Sequence, residues 1–464
     1  LRGNTFGTFN TGLGYLSLAC NTTGTQNSSV GIEALRYNTT GNYNAALGTG
    51  ALCKNTTGHC NTAVGRLALR MNTEGVRNTA VGSEALICNC CGSYNVAVGR
   101  AAAYNATNAS YNAIIGYQAG FALTTGNNNT AVGSFALQAV TDCAGSVAVG
   151  YEAQCATTTG LYNVGVGYQA GRKGTTANYN TSIGFAANCA NIAGDSNTAV
   201  GYIALRNTLS GYNTAVGFQT LNSNTCGYNN VVVGYNSGIS NTTGSNNTIF
   251  GSQAGQCSTT QGNITVMGFL AGQKNTANGT TAVGAYAGSC MTTGVYNTAI
   301  GYASQNYTTT GGGNTSLGYQ ALYLNNESTA AHNTAVGSFA LVNNSYGGCN
   351  VAVGTCSLCS NTCGGNNVAL GFRALCANTV GTNNIAIGRE AGRLSTCSGS
   401  VFIGHTAGYA NTTGVNTAIG NQAMYTNTDG TENVAVGVQA LFANCTGYQN
   451  TAVGNAALGS NTTG

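Results

Sequence analysis

Polar and apolar positions alternate in one short phrase that returns along the whole chain. Asn-Thr-Ala-Val-Gly, or a near variant, places its glycine at Gly14, Gly31, Gly48, Gly65 and onward to Gly454. There are 27 copies in 26 steps: 21 steps of 17 residues, four of 16 and one of 19, between Gly318 and Gly337. The consensus unit reads N-T-A-V-G-Y-Q-A-L-x-x-N-T-T-G-x-Y, with its first asparagine as position 1. Positions 2 to 4 alternate as a strand should. Val96, Val231, Ile385 and Val434 stand at position 2, and position 3 is small, as at Ala63, Ala80, Ala335 and Ala452. One face of this strand is therefore expected to be β-branched and apolar, while the other allows only a thin contact. A second strand is expected around position 8, which is Ala in 22 copies and Ser or Thr in five. The N-T-T-G segment reads as a turn, its glycine suited to positive φ. Two glycines per unit, with Asn, Thr and β-branched residues, argue against helix.

A 17-residue unit is too small to fold alone, so it must bury its apolar side against its neighbours. The pattern predicts an all-β chain: a single parallel β-solenoid of about 27 coils, with residues 1–464 as one continuous array. Coils stacked about 4.8 Å apart give a rod of roughly 125 Å over 26 steps. The 19-residue step predicts a loop bulging from one coil. Proline is absent from the chain, as suits coils that each donate N–H groups to the next.

Composition narrows the function. Only 24 of 464 residues carry a formal charge, 5% of the chain, against about 25% in an ordinary soluble domain. A net charge of +4 is too thin for a phosphate-neutralising stripe, so nucleic acid is not an expected partner. No window approaches 18 uninterrupted apolar residues, so insertion into a membrane is not expected either. Ten acidic residues and three histidines, His59, His332 and His405, form no carboxylate pair and no nucleophile beside a base. Neither an enzyme, a metal site nor a cofactor is expected.

Position 1 is Asn in 23 of 27 copies. Asn61, Asn78, Asn95, Asn112 and Asn129, stacked in register, read as a structural amide ladder, with a ligand-binding polar array as the alternative. A second asparagine column opens the N-T-T-G turn. It supplies candidate N-glycosylation sequons at Asn21, Asn38, Asn55, Asn241, Asn411 and Asn461. Position 6 is Tyr or Phe in 12 copies and Arg66, Arg100, Arg389 or His405 elsewhere. A column that accepts arginine belongs at a rim or a contact between chains, stacking on sugar rings being the alternative. Glu33, Glu84, Glu152 and Glu390 at position 7 face water. So do eight basic residues at positions 10 and 11, which read as an exposed corner. Nine of the 19 cysteines share that corner, including Cys53, Cys189, Cys359 and Cys376. Cys359 and Cys376 lie one coil apart, within disulfide reach; Cys257 and Cys290 lie two coils apart and are too distant.

At Tyr94-Asn95-Val96-Ala97-Val98-Gly99 and Asn383-Asn384-Ile385-Ala386-Ile387-Gly388 the chain resembles the head repeat of trimeric autotransporter adhesins. It is also similar to repeat arrays of phage and large-virus tail fibres. The resemblance covers the whole chain, although the adhesin coil is shorter and lacks the added N-T-T-G turn. It implies a left-handed parallel β-roll, homo-oligomers that include trimers, and an extracellular, cell-surface or virion-surface location.

The function expected is a structural and adhesive fibre that contacts glycans or other fibres. An ice-binding or ice-nucleating solenoid is the alternative, and a polysaccharide-cleaving solenoid a distant third. The chain opens at Asn4-Thr5-Phe6-Gly7 and stops at Asn461-Thr462-Thr463-Gly464, in mid-unit and without atypical capping units. That predicts either part of a longer array or end-to-end stacking, with lateral contacts through the Ala and Tyr faces.

Overall fold

A computed structural model describes residues 2–326 and 329–464. The chain is all-β, and no helix occurs among the described residues. It divides into two compact units, Leu1–Asn230 and Val231–Gly464. Both are parallel β-solenoids of the same coil. In the first, three-residue strands run from Thr11–Leu13 to Thr214–Val216; in the second, from Val231–Val233 to Thr451–Val453. Within the first unit, for example, Thr62, Ala63 and Val64 pair with Thr79, Ala80 and Val81. The second unit keeps the same register, Val434, Ala435 and Val436 pairing with Thr451, Ala452 and Val453.

The strand buries its thin face. Ala63, Ala80 and Ala97 at position 3 are fully buried, whereas the flanking Thr62 and Val64 are half-exposed. The β-branched face therefore turns outward, and alanine allows the opposite side of the coil to come close. Position 8 alanines (Ala68, Ala85) and position 9 leucines (Leu52, Leu69) fill the remaining interior.

The second strand expected around position 8 does not form. That segment is a run of turns in nearly every coil, with two-residue strands only at Tyr307–Thr308 and Leu324–Asn325 among the described residues. Its backbone alternates into the left-handed region, as at Leu67 (φ 59°) and Leu69 (φ 49°). Main-chain bonds to the adjacent coils still hold it: Leu69 N–H donates to Ala85 O at 3.0 Å, and Met71 N–H to Ile87 O at 3.0 Å. Those bonds and the need to close the coil override the weak left-handed preference of leucine.

The two glycines of the unit exchange roles relative to expectation. The strand-end glycine is the one at positive φ, 133° at Gly65. The N-T-T-G glycine is not left-handed at Gly24, Gly41, Gly58 or Gly244, although Gly414 has φ 88°; it is small because a neighbour is close. A Cβ on Gly58 would sit 2.5 Å from the carbonyl oxygen of Gly75 in the next coil.

Volume is conserved across the core. Bulky residues occupy position 3 in five coils, at Ile114, Val232, Ile249, Val266 and Phe402. In all five, position 9 is glycine: Gly120, Gly238, Gly255, Gly272 and Gly408. A Cβ on Gly255 would meet Ile249 Cδ1 at 3.0 Å, and one on Gly272 would meet Val266 Cγ2 at 3.0 Å. Each large side chain thus fills the space that leucine occupies elsewhere. The loop expected for the 19-residue step falls on residues 327 and 328, which lie outside the described residues.

Candidate functional site: columns of like residues

Stacking in register turns each position of the unit into a column, and the chemistry of the protein is that of its columns. At position 1, Asn61, Asn78, Asn95, Asn112 and Asn129 are all buried. The Oδ1 of Asn44 accepts from the main-chain N–H of Asn61 at 3.0 Å, and from its Nδ2 at 3.2 Å. The Asn61 Nδ2 also donates to Gly75 O at 2.8 Å. The same main-chain bond joins Asn78 to Asn61, Asn95 to Asn78, Asn112 to Asn95 and Asn129 to Asn112, at 2.9–3.1 Å. These side chains satisfy N–H groups where the backbone turns into the strand, and their burial leaves no polar face for a ligand.

A second amide ladder, with shorter amide-to-amide bonds, stands at position 12. Nδ2 of Asn38 donates to Asn21 Oδ1 at 2.7 Å, and Asn55 and Asn72 repeat the bond at 2.7 Å. Its second proton goes to the glycine carbonyl that closes its own turn, Gly41 O at 2.9 Å for Asn38. These are the sequon asparagines. Asn21, Asn38, Asn55, Asn241 and Asn411 are buried, so a folded coil presents no free amide nitrogen there. Asn461 is half-buried and its Nδ2 donates to Asn444 Oδ1 at 3.2 Å.

Position 6 lies at the surface. In the first unit Tyr151, Tyr168, Phe185, Tyr202 and Phe218 form an unbroken stack, with centroids 5.0–5.4 Å apart and planes within 15°. Ring faces pressed together in this way are not free to take a sugar; only ring edges and hydroxyls reach water. Arginine joins this column through its guanidinium, with Arg100 lying 5.7 Å from the Tyr117 ring centre.

The corner at positions 10 and 11 is only partly exposed. Arg70 and Lys54 face water, but Cys53 and Cys189 are buried. Ion pairs tie it to position 7: Arg36 to Glu33 at 2.6 Å, and Arg172 to Glu152 at 3.0 Å. All 19 cysteines are free thiols. Cys359 and Cys376 face each other with their sulfurs 3.1 Å apart. The thiol hydrogen bond from Cys359 pulls Cys376 down to about 7, with Arg393 and Arg373 adding to the effect, and pushes Cys359 up. Burial pushes Cys143 up to about 12. Among the described residues no three His, Cys, Asp or Glu side chains are placed to hold a metal ion.

Sequence reasoning missed the exchange of bulk between positions 3 and 9, although that signal is visible once the copies are aligned on their glycines. It also could not find a depression in the second unit, between Tyr286 and Tyr323. Compared with known proteins, the chain matches no family model and no curated protein.

Proposed function

We propose that this protein is a structural and adhesive fibre of an extracellular, cell or virion surface, resembling the adhesin-head and tail-fibre repeats. The observation that supports the reading is the continuity of its ladders. In each unit the backbone ladder runs from coil to coil, with asparagine columns along most of it and aromatic stacks over part of it, which is the construction of a stiff element. The residues that vary at position 6 lie at the surface, and those at positions 7, 10 and 11 partly so, where they alter contacts without disturbing the ladders. The outward strand face supports lateral contact between fibres, because position 4 is apolar in all 27 copies and half-exposed or exposed. The proposal includes self-association end to end and side by side, and no catalysis. Negative-stain electron microscopy of the purified chain tests it: stiff rods or filaments support the reading, and compact particles overturn it.

One observation favours a second reading, ice binding. Thr248, Thr265, Thr281, Thr298, Thr315 and Thr334 occupy position 2 of six successive in-register strands in the second unit. That row repeats at the strand spacing of about 4.8 Å and can order water. Thermal hysteresis of the soluble chain distinguishes the two.

A further inference from the structure

One place in the second unit departs from the columns around it. Between Tyr286 and Tyr323 the surface sinks into a depression of about 310 Å³, at the low end of the roughly 300–1,000 Å³ in which small ligands bind. Its origin is two small residues. Ala303 stands at position 7, where the next coil has Gln320, and Ser289 stands at position 10, where the preceding coil has Gln273. Both are buried at its floor.

Four tyrosines wall the space. Tyr302 stacks on Tyr319 outside the lining, with planes 9° apart, but the pairs within the lining do not stack as Tyr151 to Phe218 do. Tyr286 and Tyr302 meet at 70°, and Tyr307 and Tyr323 at 77°. Neither pair closes face to face, so ring surface stays open to the depression. Tyr302 and Tyr307 are each nearly half exposed. Hydrogen-bonding groups lie at the same place. The Ser289 hydroxyl donates to Asn306 Oδ1, and both residues are more than nine-tenths buried. Burial and the neighbouring Tyr307 push the Tyr323 hydroxyl up, so it stays a neutral donor. Gln273 and Gln320 complete the lining, which contains no charged side chain.

We propose that this depression binds a neutral pyranose within an oligosaccharide. Open tyrosine faces take the C–H surface of the ring, and the Gln, Asn and Ser groups take its hydroxyls. A charged sugar would find no counter-ion. An apolar ligand would leave the amides unpaired, which is costly. The site rests on the adhesive part of the fibre reading and gives it a location; the electron micrographs that test the rod do not depend on it.

The test is saturation-transfer NMR and tyrosine-fluorescence titration of the full chain with cellohexaose, chitohexaose, maltohexaose and mannohexaose. Ala303→Gln fills the depression with a residue that the same column carries at Gln320, so the coil keeps its fold. Ala186→Gln makes the same change in the first unit as a control. The expected result is saturable binding of at least one of these sugars, weakened tenfold or more by Ala303→Gln and unchanged by Ala186→Gln. Binding of none of them overturns the proposal. So does binding that Ala303→Gln leaves intact, or that both substitutions weaken equally.

Discussion

Gly408 stands where 14 of the 27 coils carry leucine, and the space its missing side chain leaves is filled by the ring of Phe402. Phe402 is fully buried, and a Cβ built on Gly408 would overlap its ring. The pair shows how the solenoid tolerates variation: coil volume is fixed, and residues exchange within it. Phe402→Ala alone should cost about 3–5 kcal/mol by opening a cavity. Gly408→Leu alone should be at least as damaging, through overlap. The double variant restores the consensus and should regain most of the loss, because leucine at this position adopts the same left-handed backbone (φ 48° at Leu375, 59° at Gly408). Thermal melts of the three variants check this; a double variant no better than Gly408→Leu would contradict the exchange.

The asparagine ladder makes a second prediction. Asn55→Ala removes the Nδ2 that serves Asn38 Oδ1 and Gly58 O, and the Oδ1 that accepts from Asn72. Each stranded buried group costs about 1–3 kcal/mol. Because coils open locally in repeat arrays, the effect should appear as amide exchange at least tenfold faster in the coils containing Asn38, Asn55 and Asn72. Exchange elsewhere in the first unit should change little. Unaltered protection at those coils would remove the ladder from the energetic account.

Thiol reactivity should follow the cysteine environments. At pH 8, Cys376, held down to about 7 beside Cys359, is mostly thiolate, whereas Cys143, pushed up to about 12 by burial, is a neutral thiol. Thiolate is the reactive form. Brief iodoacetamide treatment of the native chain should therefore label Cys376 well before Cys143, and the preference should shrink as the pH falls below 7. Mild oxidation should join Cys376 to Cys359, whose sulfur is 3.1 Å away. Peptide mapping reads both results, and early labelling of Cys143 would contradict them.

Burial of the sequon column predicts that native protein secreted from a glycosylating host carries no glycan on Asn38 or Asn55. Both side chains are fully buried and already donate both Nδ2 protons. Mass spectrometry of glycopeptides decides it; a glycan on either residue of folded material is incompatible with this coil.

The period of the repeat was legible because the strand phrase ends on a glycine that the backbone requires, at φ 133° in Gly65. That spacing alone implies coils, parallel pairing and registered columns. Which face turns inward was harder to read. Hydrophobic patterning points to Val64 and its equivalents, yet Ala63 is the buried residue, because a narrow coil has room only for methyl groups there. The missing second strand has a related cause. Leu67 and Leu69 adopt left-handed backbone that nothing in leucine signals, since coil closure imposes it from outside the segment. The depression at Ala303 and Ser289 was illegible for another reason: it exists only where two small residues from adjacent coils meet.

The central claim is that successive copies of the unit stack in register as parallel coils, one strand spacing apart. X-ray fibre diffraction from aligned specimens of the chain measures this directly. A meridional reflection near 4.8 Å, along the long axis of the particles, is the predicted result. A 4.8 Å reflection on the equator, or a helical pattern without it, would contradict the account.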